Sequence, residues 1–254
     1  MAKLEDYATR YKTIRMERRD GILQMTLHSA GKELQWGALP HGELPQAFQN
    51  IAEDKENRIV ILTGTGREFS GPKPAPGPRY RRTVSDWDRT TTEGRALLLN
   101  MLNIEVPMIA AVNGPAMRHS ELPLLCDIVL ASDTALFEDS GHFQNGLVPG
   151  DGVNIVYPLL LGLNRARYFL LTGQSLSAQE AKALGLVNEV LSQEKLLPRA
   201  WELAEKMNQH PTLHLKHTRM VLTADLRRRL QEHLGYSLSL EAMANLEYPE
   251  APKP

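Results

Sequence analysis

Two histidines in this chain stand where an imidazole can do chemistry. His119 and His142 both lie in turns that follow expected strands, where a rigid core presents side chains to a cleft. His142 falls in the stretch EDSGHFQNGLVPGDG, which also carries Asp151 between Gly150 and Gly152. A carboxylate in so tight a turn reaches His142 if the chain doubles back. Such a His–Asp pair is a general base for water, with the carboxylate fixing the tautomer and stabilising the imidazolium that forms. An Asx-turn is the plainer reading of a loop aspartate, and both readings stand at this point. His28 and His41 read as surface residues near element ends. His210, His214 and His217 share one helical face at metal-ligand spacing, but Lys216 and Arg219 flank them and no carboxylate ligand is near. They read as a solvated face.

The chain has no GxSxG elbow, no phosphate-binding GxxxxGK[ST] loop, no HExxH and no GxGxxG. That leaves an enzyme working with side chains and water, for which we expect no metal and no organic cofactor.

The elements that must position these residues form an α/β pattern. Thr13–Glu17 and Ile22–His28 alternate with period two, and Asp20-Gly21 supplies the hairpin turn. Leu44, Ala47, Phe48 and Ile51 fall at helical spacing, with Pro45 obscuring the start. Arg58–Thr63 (RIVILT) and Val106–Val112 are continuously apolar, as strands covered on both faces are. Between them, residues 64–85 hold four prolines and four glycines, a long irregular loop of the kind that carries function. A helix is expected over Asp86–Leu102 with Ser85 as N-cap, and short strands at Ile128–Ala131 and Ala135–Phe137. Ser177-Ala-Gln-Glu180 is a capping box, and Gly185 closes its helix. From Ser192 onward the pattern is helical. We divide the chain into a core, 1–191, and a helical C-terminal region, 192–254.

Bulk properties narrow the class. The 254 residues carry a formal net charge of −1, which argues against nucleic-acid or anionic-membrane partners. Cys126 is the only cysteine, so no disulfide framework exists and a reducing cytoplasm is the expected compartment. No stretch approaches the ~20 apolar residues needed to span a bilayer, and the start lacks an apolar signal segment.

The order RIVILTGTGREFS, VPMIAAVNGPA, ELPLLCDIVLAS and GLVPGDGVNIVYPLLLGLNRARYFLLTGQSLSAQEAKALGLVNEVL resembles the enoyl-CoA hydratase (crotonase) superfamily across about residues 10–245. The resemblance implies a spiral of strand–strand–helix units, with C-terminal helices that build homotrimers, often paired into hexamers. Departures from the hydratase pattern are concentrated at the site. Where hydratases have Phe-x-Ala-Gly-x-Asp, this chain has Phe69-Ser70-Gly71-Pro72-Lys73-Pro74, and proline has no N–H to donate. Where they have a glycine run before a glutamate, it has Met117-Arg118-His119-Ser120-Glu121. The second hydratase glutamate is replaced by His142.

These changes resemble the 6-oxocamphor hydrolase type of β-diketone hydrolase. By that resemblance His142 and Asp151 are the water-activating dyad, and His119 donates to a substrate carbonyl. Trp36 orients the diketone, and Glu241 is a carboxylate near the site. Glu121 aligns with the first hydratase glutamate, its role open. The expected reaction is hydrolysis of the carbon–carbon bond of a small-molecule β-diketone to a keto acid, or to a ketone plus an acid. The alternative is a CoA-dependent hydratase or isomerase, with Lys73, Arg79, Arg81 and Arg82 gripping a 3′-phosphoadenosine group. A third is a catalytically inactive binding protein.

Overall fold

The computed structural model describes residues 2–252. After a first turn, α1 (Leu4–Tyr7), the hairpin β1 (Ile14–Arg19) and β2 (Ile22–Leu27) leads into α2 (Ala38–Glu53) and β3 (Ile59–Gly64). Then come α3 (Val84–Asn103), β4 (Met108–Val112), α4 (Glu121–Leu124), β5 (Ile128–Ser132) and β6 (Leu136–Phe137). The helices α5 (Val153–Leu161) and α6 (Leu163–Thr172), strand β7 (Leu176–Ser177), helix α7 (Ala178–Ala183) and β8 (Glu189–Leu191) follow. Two helices, α8 (Gln193–Met207) and α9 (Thr212–Asn245), close the order.

The main sheet runs β1-β2-β3-β4-β5-β8, antiparallel between β1 and β2 and parallel elsewhere; β6 and β7 form a separate antiparallel pair. This is the α/β class expected from the sequence. The β1–β2 turn is tight because Asp20 and Gly21 both take positive φ, 51° and 78°, the twist that suits a two-residue hairpin. The unbroken apolar run of β3 is explained by its two covered faces. Val60 and Leu62 point into one core with Leu44, Phe48, Leu97 and Leu98, and Ile59 and Ile61 into another with Leu196, Ala200 and Ala204 of α8.

Helix boundaries differ from the expectation in two instructive places. Helix α2 starts at Ala38, with Pro40 in its first turn, where a proline costs no hydrogen bond. It continues through Pro45, whose carbonyl accepts from Asn100 Nδ2 of α3 at 3.0 Å. Helix α3 is capped by Thr83 instead of Ser85: Thr83 Oγ1 accepts from the Asp86 amide at 3.1 Å.

At 34 residues α9 is about 51 Å long. Its Leu230, Leu234 and Leu238 are buried as α9 packs on α3 and α5. That packing carries the end of the helix back over the loops at the carboxyl ends of β2 and β4, where parallel sheets place their sites. Among the described residues, no helix is long and apolar enough to cross a membrane.

Candidate active site

The five expected residues, Trp36, His119, His142, Asp151 and Glu241, line one cavity of about 250 Å³. Each arrives on a different device. Trp36 follows β2 and is fixed by its amide, which donates to the Gly71 carbonyl at 2.7 Å. His119 ends the loop after β4 with φ +48°, a left-handed backbone rare outside glycine. His142 precedes a 3₁₀ turn, Phe143–Asn145, and its carbonyl accepts from the Asn145 amide at 2.7 Å and the Leu147 amide at 3.1 Å. Asp151 sits in the turn before α5, whose Gly150 carbonyl accepts from Ser237 Oγ of α9 at 2.6 Å. Glu241 lies one turn further along α9.

The chain doubles back as the spacing requires, and His142 Nε2 is 3.2 Å from Asp151 Oδ2. The Nδ1 side is occupied too: it lies 2.6 Å from Asp139 Oδ1. Asp139 is a buried carboxylate that the sequence reading missed, although its place three residues before His142 was the available signal. The imidazole therefore has a carboxylate on each nitrogen. Burial alone would drive its proton off, but Asp151 and Asp139 outweigh burial and hold the His142 pKa well above its ordinary value. Asp151 shows the converse. Burial opposes its charge, yet His142 and His119 keep its carboxyl far below the usual carboxylate range.

His119 Nδ1 lies 2.7 Å from Glu121 Oε1 and 3.3 Å from Asp151 Oδ2. Burial works against its proton, and Glu121 and Asp151 raise its pKa despite that. Its ring packs on Trp36, with centroids 4.2 Å apart. Glu121, fully buried at the start of α4, has its pKa raised by burial, and its neighbour Ser120 is hydrogen-bonded to the Tyr157 hydroxyl at 2.7 Å. Burial also pushes the Glu241 carboxyl up to about 7. Four buried carboxylate oxygens of the cavity or of groups bonded to its histidines have no protein partner: Glu121 Oε2, Asp139 Oδ2, Asp151 Oδ1 and Glu241 Oε2.

His41 is not the surface residue that the sequence suggested. It lines the cavity from the first turn of α2, bonded through Nδ1 to Glu93 Oε2 of α3 at 2.8 Å, with burial and His119 lowering its pKa. By contrast, His214 and His217 are exposed, and His210 precedes α9, so the three do not share one helix face. Among the described residues, the atoms that could hold a metal ion are one His119 ring nitrogen with carboxylate oxygens of Glu121 and Asp151, all within 4.8 Å of one another. A cation bound through Nδ1 would have to replace the two contacts that this nitrogen now makes.

The two strips that donate backbone N–H groups in hydratases are bonded to each other here. The Ser70 amide donates to the Pro115 carbonyl at 3.2 Å, and the Met117 and Arg118 amides donate to the Ser70 carbonyl at 2.8 and 3.3 Å. The cations proposed for a CoA phosphate are also engaged. Lys73 Nζ is 2.7 Å from Glu138 Oε2, Arg82 donates to Thr90 Oγ1 at 2.6 Å, and Arg79 and Arg81 pair with Asn145 and Glu250.

A β-diketone hydrolase from the cyanobacterium Anabaena, solved with (S)-3-oxocyclohexyl acetic acid bound, is 44% identical, with TM-score 0.89 over 94% of this chain and 96% of that one. An enoyl-CoA hydratase/isomerase structure from Mycobacterium paratuberculosis is 30% identical, with TM-score 0.83 over 92% and 94% of the two chains. A probable enoyl-CoA hydratase of Mycobacterium tuberculosis is 34% identical over 177 residues, 65% of this chain; the match spans 60% of that relative's length. A probable peroxisomal enoyl-CoA hydratase of Arabidopsis thaliana is 33% identical over 78% of this chain and 72% of its own. The sequence pattern of the enoyl-CoA hydratase/isomerase family itself matches residues 17–245, and the chain belongs to that family.

Proposed function

We propose that this family member hydrolyses the carbon–carbon bond of a β-diketone, using side chains and water in place of CoA chemistry. The observation that carries the reading is the Asp139–His142–Asp151 array, which faces the same cavity as His119. The likeness to the Anabaena β-diketone hydrolase supports it. A β-diketone needs no thioester, because its second carbonyl accepts the electron pair released when the bond to the first breaks.

The array acts as the base. One imidazolium between two carboxylates carries a net negative charge and can take one proton, and the proton belongs to the group as a whole. Water adds to one carbonyl as its proton passes to the array. The developing alkoxide is held by N–H donors, His119 Nε2 and the Trp36 indole, in place of backbone amides. The carbon–carbon bond then breaks, its electron pair leaving as the enolate of the other carbonyl. Glu241, buried so that it titrates near neutrality, returns a proton to the enolate carbon. The products are a carboxylic acid and a ketone, joined in one molecule when the diketone is cyclic.

A panel of cyclic and open-chain 1,3-diketones, followed by loss of their ultraviolet absorbance, tests the reading. Hydrolysis of at least one member, insensitive to chelator, is the expected result. The names of the curated relatives favour a second reading, a CoA-dependent hydratase. Turnover of enoyl-CoA with no diketone hydrolysed, together with saturable CoA binding by calorimetry, would establish that one instead.

A further inference from the structure

Arg118 is a cation held at the cavity wall with no hydrogen-bonded or ion-paired partner among the described residues. Its backbone is pinned at both ends by Ser70: the Arg118 amide donates to the Ser70 carbonyl at 3.3 Å, and its carbonyl accepts from Ser70 Oγ at 2.6 Å. The side chain lines the cavity, half-buried, running past Gly141 beside His142. Among the described residues its guanidinium makes no hydrogen bond and no ion pair. The other two cavity arginines differ. Arg89 is exposed and 3.1 Å from Asp86, and Arg82 donates to Thr90 while stacking over Trp87 at 4.7 Å. Arginine stays charged in proteins, and a partly buried guanidinium without a partner costs the fold stability, which is tolerated where a ligand supplies the missing acceptor. Burial does weigh against its charge, with Asp151 and Asp139 offsetting this only through space.

The geometry of a guanidinium is that of a carboxylate receptor, with parallel N–H groups matching two oxygens. A retro-Claisen hydrolysis turns a neutral carbonyl into a carboxylate at the point where water attacked, beside His142. We propose that the Arg118 guanidinium is the seat of that newly formed carboxylate, so that the cavity admits a neutral diketone and holds its keto acid as an anion. The inference rests on the proposed hydrolysis for the source of the carboxylate, but the seat can be examined without turnover. Atoms balance simply: the acid formed from water and the acyl carbon loses its proton to solvent, and the anion pairs with Arg118 until it leaves.

The test is calorimetric titration with 3-oxocyclohexyl acetic acid and with its primary amide, which has the same shape and no charge. Wild-type protein is expected to bind the acid about 10- to 100-fold more tightly than the amide, the range for a charge-assisted hydrogen-bonded pair. Arg118→Gln should lose that preference and leave amide binding unchanged; Arg118→Met carries the same expectation if the glutamine variant does not fold. Equal affinity of wild type for acid and amide, no measurable binding of the acid, or an unchanged acid preference in the folded variant would overturn the proposal. A parallel diketone assay separates the two ideas. Arg118-dependent acid binding without any diketone hydrolysis leaves the seat standing and removes the hydrolysis. Hydrolysis by a protein indifferent to the acid's charge does the reverse.

Discussion

Between Asp139 on Nδ1 and Asp151 on Nε2, the His142 ring keeps a proton that an imidazole in water would release near neutrality. If this array is the base, His142→Ala and Asp151→Asn should each lower kcat about 10²–10⁴-fold in steady-state assays. The double variant should be little worse than the worse single one, because the groups act as a unit. Asp139→Asn removes one of the charges holding the proton, so His142 should deprotonate at lower pH than in wild type, read from its ring-proton NMR shifts. Glu241 makes a separate prediction about stability. Its folded-state pKa, about 7, lies above the unfolded value of 4.5, so the folded chain binds this proton more tightly. The stability it contributes is complete below pH 4.5 and is lost as pH rises through 7. Glu241→Gln should flatten the fall in Tm over that window and melt higher than wild type at pH 8. The sequence singled out His119, His142 and Asp151 by their residue types in turns after strands, with an Asx-turn left open for Asp151, and the structure brings the three together at one cavity. Asp139, His41 and Arg118 stayed hidden. Their placement depends on the bend at Gly141-His142, on α2 meeting α3 and on the Ser70 clamp, none of which local spacing encodes.

The strands were legible for a related reason: alternation and unbroken apolar runs report directly on how many faces are covered, as Val60 and Ile61 show by entering opposite cores. Helix starts were less so. Thr83 and Ser85 are both acceptable caps, and only the Asp86 amide decides between them. Likewise Pro45 stops a helix in isolation, but here the packing of α2 on α3 overrides it. One sterically tight junction between elements is the turn at Gly150, where α9 crosses the loop before α5. A Cβ added to Gly150 would lie 2.5 Å from the Ser237 carbonyl oxygen and 3.0 Å from Glu241 Oε2. The first is backbone and cannot swing aside, so α9 must shift. Gly150→Ala should therefore cost about 1–3 kcal/mol by denaturant unfolding, the range for an overpacked contact. It should also lower kcat, because the helix that moves carries Glu241.

On the scale of the whole molecule, the surface left by α5, α6 and α9 is notably apolar. Leu160, Leu163, Tyr168 and Leu171 are exposed on the first two helices, and Tyr236 and Met243 on the third. Apolar exposure on that scale marks a contact surface, and the resemblance read from the sequence predicts trimers or hexamers. Light scattering at micromolar concentration should give a multiple of three of the 28.5 kDa chain, and Leu163→Asp with Tyr236→Asp should reduce it. The resemblance could supply that expectation, but the helical pattern alone could not, since exposed apolar positions look the same on a monomer's faulty surface.

The cavity also draws on both ends of the chain, with Trp36 just after the first hairpin and Glu241 near the end of the last helix. All strands of the main sheet and the residues Asp139, His142 and Asp151 precede α9 in sequence, whereas the Ser237 hydroxyl that bonds the Gly150 carbonyl beside Asp151 lies on α9. Under the proposed hydrolysis Glu241, the donor to the enolate, reaches the cavity only with α9 docked on α3. The proposed activity is thus coupled to the docking of α9: a chain clipped after α8 would lack both Glu241 and the Ser237 contact to the Asp151 turn. Limited proteolysis within α9, with turnover measured alongside circular dichroism, should show activity disappearing well before the sheet signal.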